Sequence, residues 1–270
     1  MKPIPSEPRF YYSFITVCAA GIACWFFGCN GTLTQPKDNQ AYKIAAACIA
    51  DHNLGRTTVV VDLTKGSGHR PKASLRFGSD SLGFSRPGFA PDSLFSAQFN
   101  SVLRYPVGTN RLFMTDGDSS TIIRDTLPVV VTSSFYITQI VPPSRDVRGS
   151  LQVSLTWSTA DSANGYVIAT VLKKNAYARS GYSSFVTSLN TNGTFPPDAF
   201  SLSPGPQPDT GWYYVYVYAY SGVPDSTLTS GLLPVPFAHQ LSDNVTGRQD
   251  ISGRYGMIRV ALRDSVHVRY

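Results

Sequence analysis

"GWYYVYVYAYSG", residues 211–222, decides the fold, because aromatic residues take every second place along it. Tyr214, Tyr216 and Tyr218 alternate with Val215, Val217 and Ala219. A strand sends successive side chains to opposite faces, so this segment predicts a long β-strand with an aliphatic face and an aromatic face. One face belongs to a core. The other carries a stripe of rings whose purpose the strand alone does not explain.

The rest of the chain agrees with an all-β reading. Its 270 residues suffice for two domains, each burying its own core. Charged residues make up 15%, against 15 Tyr, 15 Phe, 22 Gly and 19 Pro, the balance of short strands joined by turns. The net charge of +6 is spread along the chain. Its densest run, "KGSGHRPKASLR", holds Lys65, Arg70, Lys72 and Arg76 and reads as a solvated hairpin, with contact to anionic lipid or polysaccharide as the functional alternative. No basic module interleaved with aromatics is present, so no nucleic-acid partner is expected.

The N-terminus sets the expected compartment. Lys2 and Arg9 precede an uncharged apolar stretch at 10–28, and no Lys or Arg follows until Lys37. That order is an export signal, with the body carried across the membrane. "FFGC" places Gly28 before Cys29 and gives way to the polar "NGTLTQPKDNQ". This resembles a bacterial lipoprotein signal, which implies cleavage before Cys29 and a multi-chain lipid anchor on its thiol. "GIAC" fits the family's near positions better at Cys24, but the apolar "WFFG" follows it and makes poor tether. An uncleaved anchor and plain cleaved secretion remain open. The expected organisation is a signal at 1–28, a tether at 29–42, and a body in the periplasm or on the cell surface. Only Cys48 is then left in the body, so no intramolecular disulfide and no cysteine-based metal site can form there.

The body divides into two predicted sandwiches. "TTVVVDLT", a turn and "KASLRFGSDSLGF" open the first, with Ala73, Leu75 and Phe77 on one face; a strand at 111–115 and an Asp-Gly turn follow. Pro71 to Ala73 after the first hairpin, and Pro106 to Asn110 before a later strand, resemble the prealbumin-like or carboxypeptidase-regulatory type of immunoglobulin-like domain. This predicts an immunoglobulin-like sandwich at 43–141. Pro142 and Pro143 mark the boundary. Beyond it, Trp157, Gly165-Tyr166 and the Tyr213, Val215, Val217, Ala219 strand resemble a fibronectin type III domain at 142–270. In that family Tyr213 is the corner tyrosine, whose hydroxyl bonds back to nearby backbone. The family closes its last strand soon after this one, whereas here the best remaining strand is "YGMIRVALRDSVHVRY". A long connection at about 221–254 is therefore expected, either a lengthened meander or a binding loop.

Chemistry is sparse. His52, His69, His239 and His267 fall in unrelated segments, and no nucleophile elbow, phosphate loop or dinucleotide fingerprint occurs. "DGDSS" lacks the bidentate Glu of a calcium loop and reads as a hairpin turn. No enzyme, cofactor or metal site is expected.

The stripe is the candidate site. With Tyr213, Val215, Val217 and Ala219 in the core, Trp212, Tyr214, Tyr216 and Tyr218 face outward. The neighbouring strand adds Val167, Ala169 and Val171, and the closing strand is expected to add Arg259 and Arg263 at the edge, within cation–π reach. An aromatic surface of this extent marks an interface or a groove. Its expected occupant is the protein's own chain, an envelope protein partner, or polysaccharide stacked on the rings. The expected role is a non-catalytic interaction, adhesion or structural module, with carbohydrate binding as the alternative.

Overall fold

A computed structural model describes residues 41–87, 93–102, 104–105, 111–117, 119–124, 135–148, 151–175, 182–187, 190–200, 209–222, 224–229, 239–248 and 251–269. The apolar signal or anchor, Cys24, Cys29, nearly all of the tether and the turn at 106–110 lie outside the described residues.

Apart from two short 3-10 turns, Lys173–Asn175 and Pro197–Phe200, the described regular structure is all β. The first half runs β1 (Tyr42–Asp51), β2 (Arg56–Lys65), β3 (Gly68–His69), β4 (Ser74–Phe77), β5 (Asp80–Ser85), β6 (Leu94–Phe99), β7 (Leu112–Asp116) and β8 (Ser119–Arg124). The second half follows with β9 (Ile137–Val141), β10 (Asp146–Arg148), β11 (Val153–Trp157), β12 (Gly165–Leu172), β13 (Tyr182–Thr187), β14 (Asn192–Phe195) and β15 (Gly211–Ser221). Then come β16 (Pro224–Thr229), β17 (His239–Leu241), β18 (Val245–Arg248), β19 (Ile251–Val260) and β20 (Asp264–Arg269).

Each half buries a sandwich core. In the first, Ile44, Ala46, Cys48 and Ala50 of β1 and Val59, Val61 and Leu63 of β2 meet Leu75, Phe77, Leu112 and Met114. Ala73 joins them, so the alternation read at 73–77 is the one the fold uses. In the second, β14-β11-β9 forms one layer, and Trp157 and Tyr166 lie in a core with Tyr213, Val215, Val217 and Ala219. Gly165 is there for space: a Cβ would sit 2.5 Å from Cε2 of Phe185, whose ring crosses it from β13.

One 15-stranded sheet runs through both halves. The join is β19, which pairs parallel with β1 from Tyr42↔Ile251 to Asp51↔Val260 and antiparallel with β15 from Tyr218↔Val260 to Ser221↔Met257. Gly253 makes the parallel approach possible, because a Cβ there would lie 2.0 Å from the Ile44 carbonyl oxygen and its φ is +133°. The single closing strand expected at 255–270 is instead two strands broken at 261–263, with β20 pairing the start of β15 from Gly211↔Val268 to Val215↔Asp264. Asn53, in the β1–β2 turn, clamps the break. Its Nδ2 donates to the Ala261 carbonyl at 2.9 Å, and its Oδ1 accepts from the Arg263 amide at 2.8 Å.

The long connection also has structure. It holds a β16–β17 pair and β18, which lies on β19. Leu241 and Val245 from it are buried in two different clusters. Asn244 pairs with the β19 backbone as a strand would, donating from Nδ2 to the Tyr255 carbonyl and accepting the Tyr255 amide at 2.6 and 2.8 Å. Burying these two side chains fastens the connection to the body.

Candidate functional site

A third buried cluster occupies the outer face of the shared sheet. Val167, Ala169 and Val171 of β12 and Tyr216, Tyr218 and Tyr220 of β15 join Ile258 and Val260 of β19, Ala47 and Ile49 of β1, Val60, Leu94 and Leu241. The run "VVV" at 59–61 is thereby explained, since Val59 and Val61 enter the first core while Val60 enters this one. A strand buried on both faces reads as continuously apolar.

The stripe is therefore graded along its length. Tyr218 is fully buried and Tyr216 nearly so, while Tyr214 is half-buried and Trp212 is 49% exposed. The Tyr216 and Tyr218 rings stack at 5.7 Å between centroids. Burial pushes the Tyr218 hydroxyl well above its ordinary ionisation range, and Tyr216 moves the same way against the opposing pull of Arg263. At the other end, Trp212 stacks on His267 of β20, with centroids 4.8 Å apart and planes 18° apart. Arg263 lies over the Tyr214 ring, its Cζ 3.9 Å from the centroid, and its Nη1 donates to the Tyr216 hydroxyl at 3.3 Å. The Lys173 ammonium is 5.7 Å from the same Tyr214 ring. Trp212, Tyr214, Tyr216 and Arg263 thus come together on one face.

Arg259 does not join them. It sits opposite Ala219 and Ala50, both core-side positions, on the face that also carries Tyr255 and Met257. The small alanines leave room for a long side chain there, and Arg259 is only 1% exposed. Its Nη2 donates to His52 Nε2 at 2.6 Å, so that imidazole nitrogen is the accepting one. Nε and Nη1 are buried without a hydrogen-bond partner. Burial lowers the Arg259 pKa, and burial followed by the Arg259 charge lowers that of His52. The alternation signal for this was present: if Tyr255 and Met257 are core, Arg259 must face the core too.

The corner tyrosine is where the sequence placed it. The Tyr213 hydroxyl reaches the carbonyl oxygens of Phe200 and Asp209, the latter at 3.0 Å, and shares one proton between them.

Other polar groups form structural pairs. Arg70, from the basic run, grips Asp116 with Nε and Nη2 at 2.9 and 3.1 Å, and the Tyr42 hydroxyl donates to the same carboxylate. His69 lies against Asp62 and His267 against Asp146, on separate strands. Among the described residues no group of three or more His, Cys, Asp or Glu side chains gathers as a metal-ligand set. Cys48 is fully buried, which pushes its thiol pKa far up and keeps it protonated.

No family model matches the chain, and no curated protein matches it. Solved structures similar to it include fibronectin type III and immunoglobulin-like arrays. Chicken CNTN1 FN1–FN3 domains are 9% identical with a TM-score of 0.29, covering 86% of this chain and 67% of that one. The fibronectin(III)-like modules of Clostridium thermocellum CbhA are 10% identical with a TM-score of 0.27, covering 84% and 92%. A titin Ig tandem is 8% identical with a TM-score of 0.24, covering 80% and 98%. At such scores the sandwich architecture rests on the chain's own strand pairings and buried clusters.

Proposed function

We propose that the protein is an exported, non-catalytic envelope module, lipid-anchored at Cys29, whose fibronectin-like and immunoglobulin-like body serves interaction, adhesion or assembly. The observation that carries this reading is the open end of the stripe. A half-exposed Trp212, held by His267 beside an Arg263-capped Tyr214, is presented by a sheet continuous through both halves. A large exposed aromatic on a rigid frame is a ready binding surface, because little freedom is lost when a partner docks. The leader supports the compartment: a basic start, an apolar stretch and a small residue before Cys29. Mass spectrometry of the mature N-terminus tests the anchor, and an unmodified Met1 or an unacylated Cys29 removes it. Affinity capture from native envelopes tests the role, with Trp212→Ala as the control; a partner retained equally by both proteins places binding elsewhere.

A second reading is a carbohydrate-binding module. It is favoured by the Trp212–His267 stack, since a flat ring standing on a sheet suits the C–H face of a sugar.

A further inference from the structure

The carbohydrate reading has a chemical direction, set by which cations surround the two open rings. The β12–β15 register pairs Val171 with Tyr214 and Leu172 with Tyr213. Lys173 follows β12 directly, in the 3-10 turn Lys173–Asn175, and its ammonium is 5.7 Å from the Tyr214 ring. Trp212 thus meets His267 on the β20 side, while Lys173 reaches the neighbouring Tyr214 from the end of β12. Lys173 and Lys174 are both exposed, and neither makes an ion pair with a described residue. Arg263 covers Tyr214 from the break between β19 and β20. The acidic groups nearby are already engaged: Asp146 with His267 and Arg269, Asp264 with Arg145 at 2.7 Å, and Asp51, whose charge reaches Tyr216, with the amides of Asn53 and Leu54. The open end of the stripe therefore combines ring faces with an excess of positive charge.

Its size narrows the occupant. Tyr216, Tyr218 and the β12 valines are covered, which leaves the rings of Trp212 and Tyr214 as the aromatic centre. Two such rings offer at most a few hundred Å². One or two sugar rings match that centre, and negatively charged substituents match the cations around it.

We propose that the Trp212–Tyr214 end of the outer face binds an anionic polysaccharide, a sugar stacking on Trp212 while its acidic groups meet Lys173 and Arg263. This rests on the carbohydrate reading above and adds the charge of the ligand and the residues that read it. Charge-assisted contacts give Lys173 its weight; losing one costs about tenfold in affinity.

The test titrates the full-length protein, in detergent, with polygalacturonate, dextran and polyglutamate while following binding by calorimetry and tryptophan fluorescence. Trp157 is buried in the second core, so Trp212 is the body's accessible reporter. The expected result is saturable binding of polygalacturonate that quenches Trp212, about tenfold weaker with Lys173→Glu and abolished by calorimetry in Trp212→Leu. Dextran should bind at least tenfold more weakly than polygalacturonate, and polyglutamate should leave the fluorescence unchanged. Both substitutions are at exposed positions, and an unaltered thermal melt verifies that each variant folds. Equal binding of dextran and polygalacturonate overturns the charge assignment while leaving the carbohydrate reading standing. Equal quenching by polyglutamate assigns the surface to acidic chains in general and overturns the sugar. Silence toward both polysaccharides removes the carbohydrate reading together with this inference.

Discussion

Tyr218 and Trp212 lie on one strand and one face, are both aromatic, and have opposite fates. Tyr218 sits where β15 pairs with β19, and β19 carries the sheet onward to β1. There the outer faces of the two halves merge into one buried cluster. Trp212 sits where β15 pairs with β20, whose other neighbour is the three-residue β10. Among the described residues the sheet ends there, and His267 stacks on the ring yet leaves Trp212 49% exposed. The difference teaches that the same aromatic alternation makes glue or surface according to which strand runs alongside it.

The comparison breaks most visibly at its buried end. Tyr218→Ala should destabilise the protein by about 3–5 kcal/mol, while Trp212→Ala should cost within about 1 kcal/mol. Urea unfolding of both variants measures this, and similar losses would erase the distinction. On the core side, Tyr213→Phe strips the hydroxyl that satisfies the Phe200 and Asp209 carbonyls and should cost about 1–3 kcal/mol; an unchanged midpoint would show that bond to be idle.

Arg259 is predicted to act in the reverse sense. It holds a buried charge with two unpaired nitrogens, so Arg259→Met should raise stability, by about 1 kcal/mol. A loss on that substitution would show that the contact with His52 outweighs desolvation.

The smallest effect is a pH dependence at the same place. His52 lies below its ordinary value of 6.5 in the folded state. The unfolded chain therefore takes up the proton first, and stability falls as pH drops through that value. Asp51, raised by burial, acts the other way once pH enters the carboxylate range. Thermal midpoints from pH 7.5 to 5.5 should decline in the wild type and flatten in His52→Asn. Parallel slopes would dismiss His52 as the cause.

What could be read from the sequence was local. The β15 register, the buried Trp157 and Tyr166 and the Tyr213 bond follow from a period of two and from a partner four residues away. The β1–β19 pairing joins residues about two hundred apart along a parallel ladder, and no short-range pattern announces it. That pairing is what covers Tyr218 and carries Tyr255 and Met257 into the first core, and Arg259 follows them by alternation. The break at 261–263 was hidden for a related reason, since it is fixed by Asn53 from the far end of the body. Trp212, Tyr214, Tyr216, Tyr218 and Arg263 accordingly share one face, with Tyr218 buried in it and Arg259 on the other.

β19 also sets a schedule for biogenesis. Ile251, Tyr255 and Met257 complete the core of the first sandwich although the ribosome makes them long after the rest of it. The N-terminal half therefore waits, unfinished, for a strand still to be synthesised, and a chain stopped before Ile251 leaves both halves incomplete. A nascent chain arrested at residue 240 should lose its first sandwich to protease as readily as its second, and protection of both should require β19 and β20 to emerge.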